Sequence, residues 1–159
     1  MKLYNTLLTS KKLEDVTPLD GKTVRIYSCG PTVYDHAHIG NLSTYVFTDT
    51  LRRAVALAGF DVKQVMNYTD VDDKTIRRSH EQFPGDEPRE ALANLTEKYI
   101  TIFNDDMEKI GNDVRALTFI SATDTIGGMQ DLITKLHAGG FAYIAGDGVY
   151  FSIDAYRKA

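Results

Sequence analysis

The stretch from Thr23 to Met66 constrains the fold most. "TVRIYSC" (Thr23–Cys29) is β-branched and aromatic, follows the turn signal "LDG" and stops at Gly30-Pro31, which predicts a strand. From Ile39 to Ala58 the apolar residues Phe47, Leu51, Val55 and Ala58 recur at helical spacing, and Gly59 supplies a stop. Val62–Met66 reads as a second strand. Strand, long helix, strand is a βαβ unit, which implies a parallel pair joined by a right-handed crossover. The fold class is therefore α/β. Two parallel strands are half a sheet, and half a sheet rarely stands alone.

After Asp73 the texture changes. "EQFPGDEPRE" is turn-rich, and Pro88 suits the first turn of a helix. Leu92, Leu95, Tyr99, Ile102 and Ile110 outline a long amphipathic helix closed by Gly111. A further helix is predicted over Asp124–Ala138, with Ile126, Met129, Ile133 and Leu136 inward. "FAYIAGDGVYFSI" reads as a hairpin around Gly-Asp-Gly.

Composition narrows the setting. Hydrophobic residues make up 43% and charged residues 25% of the 159, the balance of an ordinary globular protein. The start, "MKLYNTLLTSKKLEDV", carries charge where a signal peptide needs an apolar run. No stretch approaches the ~20 apolar residues of a membrane span. One cysteine makes no internal disulfide, so a cytoplasmic location is expected. A formal charge of -4 argues against gripping nucleic acid by bulk electrostatics. The basic pairs Lys11–Lys12 and Arg77–Arg78 read as solvated surface.

Chemistry concentrates in "CGPTVYDHAHIGN" (Cys29–Asn41). Ligands of α/β folds bind at the carboxyl ends of strands, and the following helix N-terminus offers unpaired N–H groups and partial positive charge to phosphate. His38, Gly40 and Asn41 fall at that terminus. His38 and Asn41 could donate to phosphate oxygens while Gly40 admits a close approach; equally, they could simply cap the helix. The pattern is neither G-x-G-x-x-G nor a Walker loop, which disfavours a dinucleotide dehydrogenase or an ordinary NTPase. In "NYTDVDDKT", after the second strand, Asp72, Asp73 and Lys74 suit helix caps and a local ion pair better than a Mg²⁺ or Ca²⁺ loop.

Together, "CGPTVYDHAHIGN" and "NYTDVDDKTIRRS" resemble the cysteinyl-tRNA synthetase family of class I synthetases, whose "HIGH" signature stands here as His38-Ile39-Gly40-Asn41. The resemblance runs from "LYNT" to "GVYFSI". It implies the first half of a Rossmann-like (HUP) nucleotide-binding domain over 1–82 and the start of an inserted helical and hairpin region over 83–159. The other catalytic half, with its "KMSKS" loop, and an anticodon-binding domain are expected downstream. The implied reaction joins L-cysteine and ATP, delivered with Mg²⁺, into cysteinyl-adenylate and pyrophosphate, then passes the cysteinyl group to tRNA(Cys). His38 and Asn41 would be catalytic, stabilising phosphate charge without a covalent nucleophile. Gly30, Thr32, His36, His38, Gly40 and Asn41 would bind ATP, although His36 could equally face solvent. Thr69 would contact the cysteine, with Asp70 fixing that neighbourhood. A monomer, with no membrane partner, is expected.

The resemblance also makes Cys29 a Zn²⁺ ligand. Sulfur for oxygen is a small difference that a plain pocket separates poorly, whereas zinc takes a thiolate far better than an alcohol. The family's other ligands, a cysteine, a histidine and a glutamate, are expected beyond Ala159. As bare sequence, a lone cysteine at a strand end is a small buried residue. Two departures mark a divergent member: "NLSTYVFTD" where the family has "NARTYVVFD", putting Ser43 in place of a common arginine, and "DVRALTFISATDTI" in the insertion. Two competing readings are the cysteine ligase of mycothiol synthesis and a non-catalytic module that binds nucleotide or cysteine.

Overall fold

The structure, a computed structural model, describes residues 1–7 and 12–159; Lys11 of the first basic pair lies outside them. A short antiparallel pair, β1 (Lys2–Tyr4) and β2 (Leu13–Asp15), precedes the predicted unit. That unit is present as β3 (Thr23–Ser28), α1 (Ile39–Leu57) and β4 (Asp61–Tyr68). β3 and β4 are parallel, with Val24 opposite Val62 and Ser28 opposite Met66. Gly59, at φ 93°, ends α1 in the left-handed region that glycine enters without steric cost.

Besides β1 and β2, two elements of this part escape the sequence patterns. β5 (Leu117–Ser121) pairs parallel to β4 and makes a three-stranded sheet in the order β3-β4-β5. Its five residues, LTFIS, carry too short an alternation to stand out. α2 (Asp73–Gln82) has one aliphatic residue, Ile76, and buries Thr75 and Ser79 instead, so it lacks the apolar period that marks a helix. α3 (Pro88–Lys109) is the predicted long helix, with Pro88 in its first turn and Gly111 (φ 87°) past its end.

The two-residue period of the strands turns Ser28, Gln64, Met66, Tyr68 and Phe119 to one face. α1 and α3 cover that face. Met66 and Leu95 are wholly buried, each contributing about 2–3 kcal/mol. Phe103 of α3 meets the ring of Tyr45 edge-on at 5.1 Å, and Tyr68 stacks on Phe119 at 4.6 Å. The inward face of α1 is Tyr45, Asp49 and Val55. Phe47, expected on the apolar stripe, is 66% exposed. A buried carboxylate takes the inner position because Arg52 (2.8 Å) and Arg53 (2.6 Å) neutralise it.

Compact units divide after Ser121. The second contains α4 (Ile126–Ala138), the hairpin β6 (Ala142–Ala145) and β7 (Gly148–Phe151), and α5 (Ile153–Lys158). The hairpin turns at Gly146-Asp147, as expected, and stacks Tyr143 on Tyr150. The expected inward face of α4 is not buried: Ile126, Met129 and Ile133 are 41–44% exposed and only Leu136 is half-buried. A unit this small has too little material to enclose four large side chains. No helix among the described residues is long and apolar enough to cross a membrane.

Candidate functional site

β3 and β4 end side by side, and the chain leaving β3 stays pressed to β4. A Cβ on Gly30 would stand 1.8 Å from the Asn67 carbonyl oxygen and 2.9 Å from its carbon. Only glycine fits that approach. Beyond it, Thr69 N–H donates to the Pro31 carbonyl (2.9 Å), Val33 N–H donates to the Thr69 carbonyl (3.2 Å), and Thr32 faces Thr69 in a parallel bridge. Val33, 1% exposed, pins this loop into the core. Thr32 and Thr69 are thereby held together, which their separation in the chain conceals.

The loop then delivers His38 as the N-cap of α1, with extended φ -94° and ψ 171°. His38 Nδ1 accepts from Gly40 N–H (3.1 Å) and Asn41 N–H (3.4 Å), while Asn41 Oδ1 accepts from His38 N–H (3.2 Å). This is a reciprocal capping box, with histidine and asparagine in place of the usual residues. The N–H groups of Gly40 and Asn41, expected to be unpaired, are therefore satisfied within the helix. What remains outward is fixed by what is used inward. With Nδ1 an acceptor, the ring proton sits on Nε2; with Oδ1 engaged, Asn41 keeps its Nδ2 donors. Both side chains are exposed, and the first turn holds no acidic residue to repel an anion. Gly40 gains a local reason as well: a Cβ there would press on the His38 ring at 3.0–3.1 Å.

A cleft of about 380 Å³ opens beside this cap. Thr32, His36, His38 and Asn41 line it from the loop and α1, Lys74 from α2, and Tyr99 from α3. His36 stands edge-on to the Tyr99 ring at 5.6 Å. Lys74 Nζ lies 5.7 Å over the Tyr34 ring, an attractive position for a cation. Asp72 is indeed a cap: its Oδ1 accepts from Lys74 N–H (2.7 Å) and Thr75 N–H (3.1 Å) at the start of α2. Behind the cleft, burial pushes the phenols of Tyr45 and Tyr68 each up to about 12, so both stay neutral.

Gly30, Gly40, Cys29 and Thr69 do not line that cleft. Cys29 is exposed rather than buried, its thiol donating to the Gly30 carbonyl at 3.7 Å. Among the described residues no three His, Cys, Asp or Glu side chains cluster closely enough to hold a metal ion. These residues do not by themselves make a zinc site.

Sequence reasoning passed over three contributors. Lys74 and Tyr99 reach the cleft only through the packing of α2 and α3. Asn67 carries a signal that was there to read: two residues before Thr69 on a strand, it shares that residue's face. Its Oδ1 accepts from Gly30 N–H (3.0 Å) and Tyr27 O–H (2.9 Å), and its Nδ2 donates to Thr69 Oγ1 (3.0 Å).

The family model described as tRNA synthetases class I (C) catalytic domain matches residues 15–158. Among curated relatives, the cysteine–tRNA ligase of Rhodopseudomonas palustris is 45% identical over 157 residues, covering 98% of this chain and 33% of that protein. The cysteine–tRNA ligase of Thermococcus kodakarensis is 41% identical over 157 residues, covering 99% and 31%. The chain thus spans about a third of the length of the curated relatives it matches. Among solved structures, the LeuRS of Agrobacterium radiobacter K84, in its ternary complex with tRNA and LeuAMS, superposes with a TM-score of 0.62. The match covers 77% of this chain and 15% of that one at 20% identity, a likeness of fold.

Proposed function

Since the chain belongs to the class I tRNA synthetase (C) catalytic domain family, we propose that the protein it forms part of activates L-cysteine with ATP and charges tRNA(Cys). The observation that carries this reading is the His38–Asn41 capping box, which leaves two oriented donors outward beside a cleft at the carboxyl ends of parallel strands. In the first step a cysteine carboxylate oxygen attacks the α-phosphorus of ATP. A phosphorus–oxygen bond forms to give cysteinyl-adenylate, and pyrophosphate leaves with the bonding pair. Negative charge gathers on the phosphate oxygens, where His38 Nε2–H and an Asn41 Nδ2–H would donate. Both are held in advance by the cap, so no reorganisation is required as charge develops. His36 and Thr32 would line the nucleotide's path, and the ammonium of Lys74 would offset phosphate charge. Gly30 and Gly40 serve the site through the close approaches they permit. Thr69 would receive the amino acid.

Zinc enters this proposal only as a site shared with residues other than those described. Cys29 would give it one thiolate, and the bound metal would favour a substrate thiolate over an alcohol. Mg²⁺ would arrive with ATP. We place the reaction in the cytoplasm, with the protein a monomer.

Cysteine-dependent exchange of pyrophosphate into ATP, followed by charging of tRNA(Cys), tests the reading in the full-length protein. Exchange with both steps is expected. Exchange with transfer to glucosaminyl-inositol in place of tRNA would make the protein the mycothiol ligase. No exchange at any cysteine concentration would leave a non-catalytic binding module.

A further inference from the structure

We propose that Asn67 is the positioning residue that sets the hydrogen-bond polarity of Thr69 and ties that hydroxyl to the Cys29–Gly30 turn. The inference rests on the functional reading above, in which Thr69 meets the amino acid.

The amide of Asn67 has one workable orientation. Its Oδ1 receives two donors, Gly30 N–H at 3.0 Å and Tyr27 O–H at 2.9 Å. A flipped amide would set its NH₂ against the Gly30 N–H, donor against donor. Nδ2 must therefore face Thr69 Oγ1, at 3.0 Å. An N–H occupying one lone pair of that hydroxyl leaves its hydrogen nothing to gain from Asn67. The hydrogen turns away, and Thr69 presents a donor at the end of β4. The main chain of Thr69 adds no slack, since its N–H and carbonyl are both engaged with the Pro31–Val33 loop. The same amide also grips the turn that follows Cys29. One side chain thus holds, in a single geometry, the thiol-bearing turn and the hydroxyl proposed to meet the same substrate. The ligand feature it would select is a hydrogen-bond acceptor, such as a carboxylate oxygen of the amino acid.

Asn67→Asp separates this role from bracing. An aspartate keeps an oxygen for Gly30 and Tyr27, but its second oxygen accepts where Nδ2 donated. The Thr69 hydrogen would then turn toward the aspartate, and the donor would be lost to substrate. In the full-length protein, steady-state exchange should show KM for cysteine raised about tenfold to a hundredfold. KM for ATP should stay within about twofold and the melting temperature should be nearly unchanged. The added negative charge could raise KM without acting through Thr69, so the substitution is repeated on Thr69→Val. There its effect should shrink to threefold or less (roughly the scale of a screened charge). Equal effects in both backgrounds would overturn the inference, as would parallel loss of both KM values with a large drop in melting temperature. Should Asn67→Asp not fold, Asn67→Ala removes the Nδ2 donor and frees the Thr69 hydroxyl to rotate. A rise in KM for cysteine alone, abolished by Thr69→Val, is the expected result, and no change overturns the inference. Absence of exchange in the wild-type protein would instead overturn the functional reading and this inference with it. An active wild type with an indifferent Asn67 overturns the inference alone.

Discussion

Replacing His38 by asparagine and by alanine separates the two things its ring does. Nδ1 caps α1 through two bonds of 3.1 and 3.4 Å, the second near the outer limit of a useful hydrogen bond. Such a cap contributes about 1 kcal/mol, within the usual range of ~0.5–2. Nε2–H, facing outward, is the proposed donor to phosphate. Asparagine is a strong N-cap whose Oδ1 can replace Nδ1, but it cannot extend a donor as far as Nε2. Alanine does neither. Loss of the cap should lower the melting temperature of His38→Ala by about 2–4 °C, with His38→Asn close to wild type. Loss of a preorganised donor costs about 3–4 kcal/mol in the transition state, so both variants should lose about a hundredfold to a thousandfold in kcat for pyrophosphate exchange. KM for cysteine should barely move. Calorimetric melting and exchange kinetics on the same preparations provide the two readouts. If His38→Asn retains kcat within about threefold, on a scale where tenfold is 1.4 kcal/mol, the ring only caps a helix and the proposed catalysis is wrong.

Two further substitutions test the scaffold. Gly30→Ala forces a methyl to 1.8 Å from the Asn67 carbonyl oxygen and 2.8 Å from Met66 Cγ; because the first obstacle is main chain, urea unfolding should show a loss of about 3 kcal/mol or more. Gly85→Ala, with open space around it, is the neutral control, and equal midpoints for the two would refute the close approach. Asp49→Asn should destabilise by about 3 kcal/mol at pH 7, since it leaves Arg52, whose side chain is 12% exposed, without its nearest counter-charge. Burial alone would raise the Asp49 carboxyl, but the bonds from Arg52 and Arg53 outweigh it and hold the group below its ordinary value. A depressed folded-state value means the contribution is complete above the unfolded-chain value near ~3.9 and fades as pH falls through the folded one. The gap between wild type and Asp49→Asn should therefore be flat from neutral pH to mild acid and close at lower pH; a gap that widens on acidification would contradict this.

What was legible in the sequence was whatever follows from apolar period and turn chemistry. The βαβ unit, α3 with its terminal Gly111, and the hairpin all carry those signals, and all are present. α2 and β5 lie outside that language. α2 is held by an aspartate cap and buries hydroxyls, and β5 becomes a strand because β4 offers an edge to pair with. Phe47 leaves its expected place on the apolar stripe, and Asp49 lies inward because its ion pairs, not hydropathy, decide that face of α1. Of the site, the cap residues were readable as either cap or ligand-binding group. Lys74 and Tyr99 were not, since they reach the cleft from helices whose placement depends on tertiary packing. Asn67 could have been found by asking which neighbour on the strand shares the face of Thr69.

Capping and ligand binding, alternatives when only the sequence is considered, become one arrangement in three dimensions. His38, Asn41 and Asn67 each carry two polar atoms of distinct character, and in each the structure consumes the acceptor. Nδ1 of His38 and Oδ1 of Asn41 close the capping box; Oδ1 of Asn67 holds Gly30 and Tyr27. Consumption of the acceptor leaves a donor of known direction, and in Asn67 that donor passes its constraint on to Thr69. A serine or aspartate cap would satisfy α1 equally well but would leave either a rotating hydroxyl or an anion at the cleft. Histidine and asparagine are the choices that cap the helix and still offer fixed donors toward negative charge. The residue types at this terminus thus follow from asking one side chain to satisfy the fold on one side and an anionic ligand on the other.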